Sequence, residues 1–211
     1  MLVTASGGAS LLGSASTFAV LGGSTVTNTG GTTTIVGDVG LSPGSAITGI
    51  PVGQPTGGSI HINDAPAVNA QSNLTTAYNN LAGMACGTNM TSLDLGGRTL
   101  AAGVYCFNTS AGLTGALTLD GGGDPNALFV IQIGSTLTTA SNSAVTLIGG
   151  ADANNVYWQV SSSATLGSGC TFKGNIVALQ SITLNTGASL SGRALARNGA
   201  VSMASNAISL P

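Results

Sequence analysis

A short pattern that returns along the second half of the chain constrains the fold more than any other feature. Four segments carry a hydroxyl-bearing residue followed by an apolar one. Their apolar residues are Leu137, Leu166, Leu184 and Met203, which stand 29, 18 and 19 positions apart. A second apolar residue follows each of them within eight positions. Repeats of about 20 residues, each with several short strands, are typical of a β-helix in which one repeat is one coil. We therefore predict stacked coils over about residues 128–210.

The alternation of side chains along a strand divides this pattern into an inner and an outer column. If the apolar residues point inward, the residues before them point outward and stack on those of the next coil, about 4.8 Å away. The predicted outer ladder consists of Thr136, Thr165, Thr183 and Ser202. Threonine also suits any solvent-facing strand, so the ladder alone does not identify a function.

The surface of this chain carries unusually little charge. Charged residues make up 5% of the 211 residues, with four Lys and Arg against six Asp and no Glu, for a net charge of −2. Hydrophobic residues make up 43%, so the chain is expected to fold. The composition excludes a basic nucleic-acid groove and a polybasic membrane patch. Solenoids commonly carry Lys, Glu and Arg on their outer faces, and their scarcity here favours a face adapted to a neutral partner.

One segment has the pattern of a helix. Asp64 can cap it, Pro66 suits its first turn and Gly83 ends it. Apolar residues at three- and four-residue steps form its stripe: Ala67, Ala70, Leu74, Ala77, Tyr78 and Leu81. We predict a helix over about residues 64–83, with this stripe packed on a flat surface.

The three cysteines and the N-terminus bear on the compartment. Cys86 and Cys106 flank a short Gly-rich segment and are predicted to form a disulfide, whereas Cys170 alternates with Phe172 and is expected to be a buried thiol. A disulfide favours secretion. Residues 1–12 are too polar and lack the positive charge of a signal peptide, so we interpret Met1 as a start or a processed boundary. No stretch is apolar enough to predict a membrane span.

No residue pattern favours catalysis or a metal site, and we expect no enzyme activity and no cofactor. The six Asp are scattered, mostly beside Gly, Pro or Asn, as in turns and caps. The segment Asp120-Gly-Gly-Gly-Asp124 faintly resembles a calcium-binding loop, but it occurs once and is predicted to be a hairpin turn. His61 has no nearby Cys or second His and is interpreted as a loop residue.

Four long runs resemble the microbial ice-binding (antifreeze) protein family. They read TFAVLGGSTVTNTG (17–30), GDVGLSPG (37–44), DPNALFVIQIGSTL (124–137) and SITLNTGAS (181–189). The resemblance extends from about Ser14 to Leu210. It implies a right-handed discontinuous β-solenoid of triangular cross-section, with one long α-helix packed alongside, secreted by cold-adapted microbes. We expect residues 1–211 to form a single domain of this kind.

The resemblance also implies an ice-contacting face on which the pattern Thr-(Ala/Gly)-x-(Thr/Asn) recurs. The pattern occurs at residues 29–32 and 139–142, with a near match at 186–189. A further match at 76–79 falls on the predicted helix and is attributed to chance. Together with the ladder, the expected ice-contacting residues are Thr29, Gly30, Thr32, Thr136, Thr138, Thr139, Asn142, Thr165, Thr183, Thr186, Ser189 and Ser202.

The expected function is adsorption to ice crystals, which inhibits ice growth and recrystallisation and produces thermal hysteresis. The expected partner is the ice surface, with no nucleic acid and no membrane insertion. A neutral Thr-rich face offers little apolar area for self-association, so we expect a monomer. The alternative is a secreted β-solenoid adhesin that binds glycan or protein through the same face.

Overall fold

The computed structural model describes residues 9–211, so most of the stretch assessed for a signal peptide lies outside the described residues. It begins with a short helix, α1 (Ala9–Leu12), and a 3-10 turn (Gly13–Thr17). Six strands follow: β1 (Phe18–Gly22), β2 (Thr25–Asn28), β3 (Thr34–Val36), β4 (Asp38–Leu41), β5 (Ala46–Thr48) and β6 (Ile60–Ile62). The long helix α2 (Ala65–Ala82) comes next.

Fifteen further strands follow α2. The first eight are β7 (Thr88–Asn89), β8 (Arg98–Ala101), β9 (Gly103–Phe107), β10 (Ala111–Leu113), β11 (Ala116–Asp120), β12 (Phe129–Ile133), β13 (Leu137–Thr139) and β14 (Ala144–Ile148). A 3-10 turn (Ala153–Asn155) precedes the remaining seven. These are β15 (Val156–Val160), β16 (Ala164–Leu166), β17 (Thr171–Ala178), β18 (Ile182–Leu184), β19 (Ser189–Ala196), β20 (Val201–Met203) and β21 (Ala207–Ser209).

The strands form three faces of a β-solenoid with a triangular cross-section, as the family resemblance implies. The first is a seven-stranded parallel sheet in the order β10-β13-β16-β18-β20-β2-β5; we call its outer surface the ladder face. The second is the row β6-β4-β1-β19-β17-β15-β12-β9-β7, here called the helix face. The third face contains β8, β11, β14, β21, β3 and the first halves of β17 and β19.

The eight-residue strands β17 and β19 turn the corner between the helix face and the third face. Each carries a glycine at its centre, Gly174 and Gly192, which are paired in register. A Cβ on Gly192 would lie 1.9 Å from the carbonyl oxygen of Gly174. Only glycine allows the two backbones to come this close at the bend.

The order of coils along the solenoid axis differs from their order in the sequence. The first coils of the chain stack on the last ones, because β1 pairs with β19 and β2 pairs with β20. Helix α2 then connects the N-terminal coils to the opposite end, where β7 pairs with β9. The solenoid is therefore discontinuous, and its N-terminal strands extend the sheets that the C-terminal coils form.

The interior of the solenoid is aliphatic, with a few aromatic rings. Leu137, Leu166, Leu184 and Met203 are buried there, as predicted. The rings of Trp158 and Phe172 pack with their centroids 4.7 Å apart. The free thiol of Cys170 is buried among these residues, and burial raises its pKa.

Helix α2 packs its apolar stripe on the helix face. The Asp64 side chain accepts a hydrogen bond from Ala67 N at 3.0 Å, and Gly83 follows the last turn. All six predicted stripe residues are buried. Five of them, all but Ala67, form a second core with outward residues of the solenoid, including Leu21, Val130, Tyr157, Val177 and Leu195. The prediction of a helix with a flat partner is confirmed.

Smaller predictions have mixed outcomes. Cys86 and Cys106 form the predicted disulfide, with Cα atoms 5.9 Å apart. The segment after Asp120 is a solenoid corner and not a hairpin, because β11 pairs with β8 and β14 and not with β12. His61 lies in β6 and not in a loop, and its Nδ1 is 2.7 Å from Asp64 Oδ2. Within residues 9–211, no helix combines the length and hydropathy that crossing a bilayer requires.

Candidate functional site

A row of hydroxyl-bearing side chains runs along the centre of the ladder face. Each strand of the seven-stranded sheet points one central residue outward, and the strand pairings align these residues. In spatial order, the central row is Gly112, Thr138, Thr165, Thr183, Ser202, Thr27 and Thr48. Neighbouring strands lie about 4.8 Å apart, so the row is about 29 Å long.

Two further rows flank the central one. In each strand, one residue comes just before the first side chain that points into the solenoid, and these residues form the first flanking row. Its members are Ser110, Thr136, Ser163, Ser181, Ala200, Thr25 and Ala46. The second row follows the strands and contains Thr114, Ala140, Gly167, Asn185, Ala204 and Thr29. All of these side chains are small and uncharged. The ladder face is therefore a neutral surface three residues wide.

The side chains of the central row have little conformational freedom. Threonine is branched at Cβ, which restricts χ1, and the parallel pairing fixes the spacing of the backbones. Thr27 Oγ1 lies 3.3 Å from Ser202 Oγ on the neighbouring strand. The row thus presents hydroxyl and methyl groups at regular intervals.

A buried polar network braces the corner between the ladder face and the third face. The Asn206 amide donates to the carbonyls of Asn185 and Ala188, both at 2.9 Å. Asn206 N donates to Thr33 Oγ1 at 3.1 Å, and that hydroxyl donates to Asn28 Oδ1 at 2.6 Å. Buried polar groups that all find partners make a corner rigid, so this edge of the ladder face is held in place.

Several charged and aromatic polar groups lie on the other faces, whereas Asp94 lies at the end of the ladder face, bridged to Gly112. Arg193 is buried and donates to Ser16 O, Asn154 Oδ1 and Asn175 Oδ1; its burial lowers the pKa of the guanidinium group. Burial raises the pKa of Tyr157 to about 12. The pKa of Asp64 is lowered, first by its hydrogen bond with His61 and then by that with Ala67 N. None of these groups belongs to the three rows.

The third face is less regular. Its outward positions include Lys173 and Val36, the latter 46% exposed. A trough of about 190 Å³ runs between its outward side chains, over Phe172, Leu190 and Ile208. The helix face is covered by α2. The ladder face is thus the most uniform of the three in the size and charge of its outward side chains.

The predicted register of the ladder is wrong at the strand that contains Leu137, where it is shifted by two residues. Leu137 pairs with Ala164 and not with Leu166, so Thr138 is the partner of Thr165. Thr136 therefore lies in the first flanking row, where its hydroxyl donates to Ser110 Oγ at 2.9 Å. Thr138, Thr165, Thr183 and Ser202 do form part of the central row.

The other predicted residues are distributed around the corner. Thr139 is 3% exposed, and its hydroxyl accepts a hydrogen bond from Gly167 N inside the solenoid; its inclusion in an outer surface is wrong. Thr29 lies in the second flanking row. The corner turns hold Gly30, Thr32, Asn142 and Thr186. Ser189 begins β19 on the third face.

The copies of the Thr-(Ala/Gly)-x-(Thr/Asn) pattern do not stack in register. Thr139 occupies the position of Leu184, whereas Thr186 stands two residues further along its coil. Thr27 and Thr48, which were not predicted, extend the central row by two strands. The alternation Thr25-Val26-Thr27 and Ala46-Ile47-Thr48 is the signal that indicates them. Across residues 9–211, no three His, Cys, Asp or Glu side chains converge on a point where they could hold a metal ion.

Comparison with known proteins places this geometry in a family. Residues 20–209 match the family described as ice-binding-like. An ice-binding protein from Nostoc sp. strain HG1 is 57% identical over 201 residues, which are 95% of this chain and 74% of that protein. The crystal structure of an ice-binding protein from an Antarctic biological consortium is 52% identical with a TM-score of 0.91, over 95% of this chain and 90% of that one.

A structure from the Antarctic ascomycete Antarctomyces psychrotrophicus, also of an ice-binding protein, has a TM-score of 0.91 at 40% identity and covers 95% of this chain and 97% of that chain. The same solenoid is thus found in relatives from different microbes. The family match covers most of the chain, and the relatives agree with it in sequence and in structure. The chain therefore belongs to the ice-binding-like family.

Proposed function

We propose that this protein binds ice crystals through the ladder face and thereby inhibits ice growth and recrystallisation. The observation that carries the proposal is the set of three uncharged rows, aligned by the pairing of seven parallel strands. Relatives named ice-binding proteins support the partner, and they do not favour the alternative of a glycan- or protein-binding adhesin.

The mechanism follows from the chemistry of the two surfaces. Ice presents a neutral, regular lattice of water, so salt bridges would contribute nothing, and charged side chains would hold their own hydration shells. Threonine offers a hydroxyl that hydrogen-bonds water and a methyl group that confines it. Because the side chains are already ordered, little rotamer entropy is lost on binding. Water held along the rows then merges with the crystal.

Bound protein slows the crystal by changing the shape of its surface. Adsorbed molecules block growth where they sit, and the ice front bulges between them. A curved front melts more easily than a flat one, so growth stops until the temperature falls further. The same pinning prevents large crystals from growing at the expense of small ones. No chemical step or cofactor is involved in this scheme.

We further propose that the protein works outside the cell as a monomer. The disulfide between Cys86 and Cys106 supports an oxidising compartment, which is where an ice-binding protein meets external ice. The ladder face has few exposed apolar side chains and offers little area for self-association.

Substitution of Thr183 by Tyr tests which face binds. Thr183 lies at the middle of the central row, and a bulky ring there would lift the face from a flat crystal. We expect Thr183→Tyr to lose most of its thermal hysteresis and to be excluded from a slowly grown ice hemisphere. The matched control is Thr146→Tyr, because Thr146 is an exposed strand residue on the third face. This control is expected to keep wild-type activity.

Two outcomes would contradict the proposal. If the wild-type protein were excluded from the ice hemisphere, ice binding itself would be wrong. If Thr146→Tyr abolished activity and folded Thr183→Tyr did not, the third face would replace the ladder face as the binding surface. Circular dichroism spectra and melting temperatures of both variants establish that they fold.

A further inference from the structure

The serines of the first flanking row make a contact that the central row does not make. Ser181 Oγ accepts a hydrogen bond from Ala200 N on the next coil at 3.1 Å. Ser163 Oγ accepts in the same way from Ser181 N at 3.3 Å. At the far end, Ser110 Oγ accepts from Thr136 N at 3.4 Å and from Thr136 Oγ1 at 2.9 Å. Each oxygen thus binds the backbone of the neighbouring coil.

These contacts complete a reciprocal clamp between successive coils. At the step from Ser181 to Ala200, Ile182 N donates to Ala200 O at 2.8 Å, and Ala200 N donates back to Ser181 Oγ. At the step from Ser163, Ala164 N donates to Ser181 O at 2.9 Å, while Ser181 N donates back to Ser163 Oγ. A serine oxygen therefore replaces the carbonyl that a longer strand would supply at this corner.

Gly199 lets the two coils approach closely at this step. A Cβ there would lie 2.4 Å from Ser181 Oγ and 2.6 Å from the backbone atoms Gln180 C and Ser181 N, so a larger residue would force the coils apart as well as displace the hydroxyl. The opposite edge of the ladder face is held by the buried network around Asn206. The serine clamps brace the other edge, between the ladder face and the helix face.

We propose that Ser110, Ser163 and Ser181 are positioning residues for ice binding, an inference that rests on the proposed function. They hold adjacent coils at one height and one register, so that the central hydroxyls stay in line. Their oxygens are occupied by backbone N–H groups, and their own O–H groups are left to donate to surface water. The row thus combines a structural acceptor with an outward donor.

Amide hydrogen exchange separates a positioning role from a direct contact with ice. In Ser181→Ala, the Ala200 amide loses its acceptor, and we expect its exchange to become about tenfold faster. Thermal hysteresis is expected to fall with it. Ser181→Thr restores a hydroxyl oxygen at the same position, so this variant should recover both the slow exchange and the activity.

Ser202→Ala is the matched comparison. Ser202 lies in the central row, and its Oγ accepts from Thr27 Oγ1 and, among the described residues, from no backbone N–H. This variant is expected to weaken ice binding without changing the exchange of neighbouring amides. The two serines would then affect activity by different routes.

The inference is overturned if Ala200 keeps its slow exchange in Ser181→Ala, whether or not activity falls. It is equally overturned if exchange accelerates and hysteresis stays at the wild-type value. Should Ser181→Ala fail to fold, Ser110→Ala at the end coil provides the same test, with the Thr136 amide as the reporter. Hydrogen exchange is measured without ice and tests the serine contacts alone. Failure of the proposed ice binding would instead be seen when the wild-type protein is excluded from the ice hemisphere.

Discussion

At the scale of the residue, the central row is defined by a hydroxyl on nearly every strand. Its one interruption among the seven strands is Gly112, at the end beside Asp94. A Cβ on Gly112 would lie 3.1 Å from Asp94 Oδ2, so a side chain there requires a small shift of this exposed carboxylate. The Asp94 carboxylate also accepts from Gly96 N and Thr114 N. A charge bound to the local backbone thus marks the end of the neutral row.

Extending the row by one hydroxyl should strengthen ice binding. We expect Gly112→Ser to raise thermal hysteresis modestly at equal protein concentration, because the row gains a seventh consecutive hydroxyl strand beside Thr138. The control is Ala116→Ser, which adds the same group at an exposed position of the third face and should leave hysteresis unchanged. An equal gain in both variants would show that added hydroxyls act anywhere on the surface, and the central row would lose its special role.

At the scale of the element, the sequence predicts the helix well and the strand register less well. Capping and periodicity specify α2 within the chain itself, from Asp64 to Gly83. A three-residue strand offers one outward side chain, and a shift of two residues leaves every side chain on its original face. This is why the pattern around Leu137 could be aligned two residues away from its true partner. Thr139 is two residues after Leu137 and therefore points to the same side of the strand, into the solenoid. The family pattern had instead suggested that Thr139 lies on the outer surface.

Asp64, which binds His61 and caps α2, should make stability depend on pH. The pKa of Asp64 is lower in the folded protein than the usual value of about 3.9 in an unfolded chain. Its contribution to stability is therefore present above about pH 4 and is lost as the pH falls through the folded value. We expect Asp64→Ala to lower the melting temperature at pH 7, with the difference from wild type shrinking toward pH 2.

Asp64→Asn is the matched variant for this cap. Asparagine also accepts from the N-terminal amides of a helix but does not titrate, so it should retain much of the stability at pH 7 and lose the pH dependence. Melting curves from pH 7 to pH 2 measure both effects. A constant gap between wild type and Asp64→Ala across this range would show that the carboxylate charge does not contribute.

At the scale of the whole molecule, the binding face is assembled from distant parts of the chain. Thr27 and Thr48 come from the N-terminal coils, and the rest of the central row comes from β10 to β20. The local pattern around each strand predicts coils but carries no information on which coil stacks on which. Discontinuity was therefore implied by the family resemblance, and the joining of β2 to β20 became clear only in the structure.

The disulfide acts at the end of the solenoid opposite β5 and β6. Cys86 follows α2 and Cys106 lies in β9, so the bridge ties the end of the helix to an end coil and closes a segment of 20 residues. Closing a loop of this size stabilises a fold by about 3 kcal/mol. The bridge is separated from most of the central row, whose strands pair independently of it.

Removal of the bridge should therefore lower stability and leave ice binding largely intact. We expect the double variant Cys86→Ala/Cys106→Ala to melt at a lower temperature and to retain most of its thermal hysteresis near 0 °C. Cys170→Ala is the control for loss of a cysteine that is not in the disulfide. The Cys86–Cys106 bridge remains in this variant, so a reductant should lower its melting temperature as it does for the wild-type protein. Reduced stability alone would leave a folded ladder face that still binds ice near 0 °C. If the folded double variant lost its thermal hysteresis at that temperature, the end coil would have to be coupled to the ladder face.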